Sequence, residues 1–193
     1  PVYTLTNPTP ALDDQFGYAV AIDGTRVVVG CFGDDTGATD AGSTYVFDLN
    51  SGTPTVPLVT LNNPGFIAGD IFGYTVAISG TRVAIAAVWD DVGLAANAGS
   101  VYVYDVASGT PTVPIVTMNN PTPGSGDWFG SGVAISGNRV VVGSPYDNTA
   151  TADDGIAYVY DLTSGAPGTP VWTLNNPTPA ANEWFGLAVA IEG

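Results

Sequence analysis

The chain has no lysine and no histidine, one cysteine, and only three basic residues against 18 acidic ones. Each shortage removes a class of function. Without histidine there is no ready general acid–base group near neutral pH, and no Cys–His or Ser–His pair can be assembled. Without lysine there is no Schiff base. The formal net charge of −15 repels phosphate backbones and anionic headgroups, which argues against nucleic acid as a partner. A lone Cys31 cannot form a disulfide within the chain. No run of about 18 apolar residues is present, so no helical membrane insertion is expected. Nor does any segment keep a 3.6-residue apolar period, and Gly and Pro punctuate every connection, so helix content should be near zero.

What is present is repetition. Phe-Gly stands at Phe16-Gly17, Phe72-Gly73, Phe129-Gly130 and Phe185-Gly186, a period of 56 or 57 residues. Arg26, Arg82 and Arg139 follow ten residues after their Phe. The runs Tyr45-Val46-Phe47-Asp48, Tyr102-Val103-Tyr104-Asp105 and Tyr158-Val159-Tyr160-Asp161 keep the same register, as does Asn-Asn-Pro at 62–64, 119–121 and 175–177. Cys31 falls where the other copies carry Ala87 and Ser144, so it reads as a small residue filling a strand position.

Each unit reads as four short strands. The first follows Phe-Gly. A tight turn (Asp23-Gly24-Thr25, Ser79-Gly80-Thr81, Ser136-Gly137-Asn138) leads to an apolar second strand beginning at the Arg. The Tyr-Val-Tyr/Phe run makes the third, and Leu58–Leu61, Ile115–Met118 and Val171–Leu174 the fourth. Four antiparallel strands in such a unit predict an all-β chain of β-propeller blades, with a parallel β-helix as the alternative. The expected division is 1–15 as the last strand of a preceding blade, blades at 16–71, 72–128 and 129–184, and 185–193 as the first strand of a following one. Such ends do not close a ring, so a segment of a longer protein is expected.

The pattern Phe-Gly, Val-Ala-Ile, then Arg-Val-Val-Val-Gly-Ser-Pro, best seen from Phe129 to Pro145, resembles the FG-GAP repeat. That repeat builds the propeller of integrin α chains and occurs in many bacterial surface proteins. The resemblance implies a secreted or cell-surface location and a role in adhesion or protein contact. Lysine-free, Asp-, Thr- and Gly-rich composition points the same way. In the integrin type a calcium loop joins the first two strands; here that connection is only a Gly turn, too short to supply the oxygen ligands. The nearer likeness is to the bacterial branch.

Calcium has another place to go. Asp34-Asp35, Asp90-Asp91 and Asp147-Asn148 open the loop between strands two and three, and Asp40, Asn97 and Asp153-Asp154 precede its Gly. Clustered Asp and Asn oxygens suit Ca²⁺, and equally suit ordinary turns. A second acidic set, Asp14, Asp70, Asp127 and Glu183, stands two residues before each Phe, and a third, Asp48, Asp105 and Asp161, ends the aromatic strand. Each Arg is expected to tie its blade to a neighbouring Asp. Trp128 and Trp184 precede Phe where other copies have Gln15 and Ile71, and fit either packing between blades or a rim that stacks on glycans. Paired carboxylates could form a glycosidase dyad, but they recur in every blade, whereas an active site breaks symmetry; a non-enzyme is expected. Two further readings stay open: a subunit of an extracellular fibre or layer whose strand edges join copies of the chain, and a carbohydrate-binding module beside an enzyme.

Overall fold

A computed structural model describes residues 2–193, and Pro1 lies outside the described residues. Two-residue turns set the first hairpin of every repeat. Gly24, Gly80 and Gly137 take φ of 57°, 62° and 56°, a left-handed setting that primed hairpin turns require. They join β1 (Val20–Asp23) to β2 (Arg26–Cys31), β5 (Phe72–Ser79) to β6 (Arg82–Ala87), and β9 (Gly132–Ser136) to β10 (Arg139–Ser144). The aromatic runs form β3 (Ser43–Asp48), β7 (Ser100–Asp105) and β11 (Ile156–Asp161), and the sheets end at β4 (Val59–Asn62), β8 (Val116–Asn119) and β12 (Trp172–Asn175). The result is three separate four-stranded antiparallel sheets, each in simple sequence order. All the described regular structure is strand, and among the described residues no helix is long and apolar enough to cross a membrane.

The sheets stack face to face, which explains the unbroken apolar second strands. Val28 of β2 faces forward with Val46 and Leu61, and receives Phe72, Ile85 and Tyr104 of the second sheet. Val27 and Val29 face the other way, with Tyr45 and Phe47. The second junction repeats the arrangement: Ala84, Val101, Val103 and Met118 of the second sheet receive Phe129, Val140, Val142 and Tyr160 of the third. Phe72 and Phe129 are fully buried, and each contributes about 2–3 kcal/mol from its removal from water. The forward face of the third sheet is covered only in part, with Val141 and Val159 buried. Leu174 is 43% exposed there, whereas its counterparts Leu61 and Met118 are buried.

No strand is present in the described residues at the two ends, where partial blades were expected. Residues 2–7 contain no strand, although Leu5 packs against the backward face of the first sheet. From Phe185 onward the chain forms only an isolated parallel bridge between Phe185 and Gly155. A strand exists through its hydrogen-bonded neighbours, and neither segment has a ladder of them.

Candidate functional site: the sheet junctions and an aromatic row

Where the chain passes from one sheet to the next, the acidic positions come together. Asn7, Asn63, Asn120 and Asn176 each donate their side-chain amide to the acid seven residues on: Asp14 (2.6 Å), Asp70 (2.8 Å), Asp127 (2.8 Å) and Glu183 (2.6 Å). The Asn carbonyl oxygen accepts the backbone N–H two residues ahead, at 2.9–3.1 Å. This closes an Asx turn around the proline. The second acidic set therefore holds the crossover loop. Its signal was already in the sequence as a constant Asn-to-acid spacing.

The loops read as calcium candidates each carry an internal staple. Asp35, Asp91 and Asn148 accept the N–H of Asp40 (2.9 Å), Asn97 (2.8 Å) and Asp153 (2.9 Å). Those three acceptor-held residues are left-handed, with φ of 50°, 54° and 53°. Asp34, Asp90 and Asp147 turn inward. Asp34 accepts from the Thr36 N–H (2.8 Å), the Tyr45 hydroxyl (2.8 Å) and Ser43 (3.2 Å). Asp90 accepts from Tyr102 at 2.7 Å, and Asp147 from Thr149 at 3.1 Å and Thr122 at 3.4 Å.

So the structure separates each candidate set. Asp35 and Asp40 are exposed, while Asp34 is buried and meets Asp14 and Cys31, with donor atoms all within 4.8 Å. Ca²⁺ takes six to eight oxygen ligands from carboxylates, carbonyls and water. The Asp34 carboxylate accepts several N–H and O–H groups, while Asp35, Asp90 and Asp91 each accept one, as turn residues do.

Electrostatics follow burial and the paired charges. Asp70 is pushed up to about 6 by burial, with Asp90 and Asp91 adding to it, against the Asn63 hydrogen bond. Asp147 also rises to about 6, from burial and then the Asp127 charge. Burial opposes ionisation of Asp34 too, but hydrogen bonds from Thr36, Tyr45 and Ser43 outweigh it and hold the carboxyl below its usual value. The Cys31 thiol is driven to about 12 by burial and by Asp34 and Asp14, so it is not a nucleophile at neutral pH. An open cavity of about 360 Å³ lies between Thr122, Gly124, Asp127 and Asp147, with a counterpart of about 200 Å³ at Thr9, Asp14 and Asp34.

Two of the three arginines tie neighbouring sheets, but their hydrogen bonds do not go to the Asp expected. Arg26 donates to the Gly80 carbonyl (3.4 Å), and Arg82 to the Gly137 carbonyl (3.1 Å) and the Asn138 side chain. The acceptor is the next sheet's hairpin turn. In return Asp23 and Ser79 accept the N–H of Gly80 (2.6 Å) and Gly137 (3.0 Å). Strand register sets Arg26 opposite Asp48 and Arg82 opposite Asp105 within one sheet, so the guanidinium is free to reach across. Arg139 instead lies over the Trp172 ring, 5.6 Å from its centroid.

Trp128 and Trp184 occupy left-handed backbone, φ 53° and 54°, as do Gln15 and Ile71 at the same repeat position. They belong to a row. Ring centroids run Trp89–Trp128 at 5.9 Å, Trp128–Tyr146 at 5.0 Å and Tyr146–Trp184 at 6.1 Å. Trp89 and Tyr146 escaped the sequence reading. Their signal was their place directly before the inward Asp90 and Asp147, where the first copy has Gly33.

Stacked four-stranded sheets joined by such crossovers define a propeller-like repeat protein. Residues 3–47, 66–104 and 123–160 match the FG-GAP repeat, more than half of the chain, and the protein belongs to the FG-GAP repeat family. No curated protein matches it. Among solved structures the chain is similar to the computationally designed Ika4 protein, at 16% identity and TM-score 0.55, over 98% of this chain and 85% of that one. It is also similar to the computationally designed Ika8 protein, at 16% identity and TM-score 0.51, over 92% of this chain and 40% of that one. At these identities the likeness is one of fold.

Proposed function

We propose that this chain is a non-catalytic β-propeller segment of a secreted or cell-surface protein, serving adhesion or protein contact through its exposed loops. The observation that carries the reading is that the in-register ionisable side chains serve the sheet junctions. Asn–acid staples recur at four repeat positions, two of them between consecutive sheets, and Asp/Asn–backbone staples recur in three loops, so these acids have an architectural task common to all copies. Membership of the FG-GAP repeat family supports the extracellular placement. Impermeant biotinylation of intact source cells, followed by mass spectrometry, tests it: the chain belongs in the labelled fraction. Recovery only after lysis refutes the location, and turnover of any substrate in a hydrolase panel refutes the non-catalytic part.

A second reading, assembly of copies into a fibre or layer, is favoured by β12, which is exposed along its whole length. An unpaired edge of that kind is a template for another strand. Negative-stain electron microscopy of the concentrated protein tests it, with filaments or sheets as the expected result.

A further inference from the structure

We propose that the row Trp89–Trp128–Tyr146–Trp184 is a binding platform for a neutral polysaccharide, whose sugar rings stack on it in succession. The inference rests on the binding role argued above and names its ligand class. The fold does not demand these side chains. Gln15 and Ile71 fill the position of Trp128 and Trp184 with the same left-handed φ, 58° and 52°, and a bulky side chain is disfavoured there. Gly33 fills the position of Trp89 and Tyr146. The aromatics are thus additions confined to the later copies.

The two ends of the row are exposed, Trp89 by 39% and Trp184 by 42%, while Trp128 and Tyr146 between them are half-buried, Trp128 against the core, and open onto a hollow of about 400 Å³ shared with Gly126 and Asp153.

The geometry suits a chain of rings better than a point charge. Ring contacts join successive members only, at interplanar angles of 57°, 75° and 61°, so the aromatics form a line and do not converge as a cage would. CH-rich sugar faces are apolar and pack on aromatic rings, while hydroxyls donate to a carboxylate such as Asp153 at the rim. The net charge of −15 turns away uronate, sulfated and phosphorylated polymers, which leaves neutral ones.

The test is calorimetry and indole fluorescence on the whole chain with cellohexaose, mannohexaose and maltohexaose, and with an oligo-arginine peptide as the competing class. At least one hexasaccharide is expected to bind and to shift the indole emission. Trp128→Gln, which installs the first copy's own residue, should weaken binding about tenfold, and Tyr146→Ala similarly. Trp172→Ala, an exposed indole outside the row, should leave it unchanged. The proposal is overturned if no hexasaccharide binds at millimolar concentration, if Trp128→Gln binds as well as the parent, or if only oligo-arginine binds. Surface labelling is read independently, so failure here leaves the adhesion reading to stand or fall by itself.

Discussion

Gly99→Ala is the substitution expected to do most damage for a single added methyl group. Gly99 has φ +90°, and an added Cβ would run into the Phe129 carbonyl oxygen, with the Phe129 nitrogen at 2.7 Å and carbonyl carbon at 3.0 Å. These are backbone atoms, so no rotamer change relieves the clash. The left-handed setting alone costs an L-residue about 1–2 kcal/mol. Moving Phe129 away stretches its N–H from the Ala98 carbonyl, now at 3.0 Å, a bond contributing about 1 kcal/mol. It also loosens a fully buried ring between two sheets. A total of about 3–4 kcal/mol follows. Gly137→Ala is the control: φ is +56°, but a Cβ there meets nothing within 4 Å, so only the conformational cost of about 1–2 kcal/mol remains. Urea unfolding followed by tryptophan emission measures both. Because repeat units are held mainly by their neighbours, Gly99→Ala should also split the transition into two steps. Equal costs for the two substitutions, within about 0.5 kcal/mol, would refute the close-approach argument.

Tyr104→Phe and Tyr160→Phe should each raise stability, by about 1 kcal/mol, because both hydroxyls are buried without a partner and Phe47 fills the same position in the first copy. A lowered melting temperature would show that the hydroxyls are satisfied after all. Arg82→Ala should cost under about 1 kcal/mol, equally at low and high salt, since its acceptors are uncharged. An effect abolished by salt would point back to a carboxylate partner. The raised Asp70 and Asp147 define a pH window. A carboxyl whose folded value is above its ordinary 3.8 contributes stability that is full below that value and lost as pH climbs through about 6. Unfolding free energy should therefore fall across that window, on the order of 1 kcal/mol per site once residual solvent is discounted, and Asp147→Asn should flatten the slope. Asp34, held below its usual value, acts in the opposite sense in stronger acid. A stability that climbs steadily from mild acid to neutrality would contradict the paired-carboxylate picture.

Most of the fold was legible because the repeat supplied its own alignment. Three copies of Gly turn, Arg-led apolar run and Tyr-Val-Tyr/Phe strand placed β1 to β12 with their ends adjusted by no more than two residues. The junctions were less legible, because their contacts join residues far apart in sequence. Nothing local to Gly42 or Gly99 announces that the backbone of Phe72 or Phe129 will lie against it. The Arg partner was misread for a related reason. Charge alone points to an Asp, but stacking brings the guanidinium to the neighbouring turn, whose carbonyl faces outward and lacks a ladder partner.

The same reasoning separates architecture from recognition in this chain. A residue that recurs at every copy has the same task at every junction, and the contacts bear this out for the Asn–acid staples and the left-handed loop residues. Symmetry explains such positions without a ligand. The informative sites are those where copies share a backbone and differ in side chain. Position 31 varies among Cys, Ala and Ser, all small and all facing a buried wall, so its variation is packing. The position before Phe-Gly varies from Gln15 and Ile71 to Trp128 and Trp184 on an unchanging left-handed backbone, and the larger residues stay partly open to solvent. A stability argument does not favour placing indoles on such backbone with their faces half wet, because Gly or Asn would serve it better. Binding does favour it, and that is why the aromatic row, not the more numerous acids, is where a ligand should be sought.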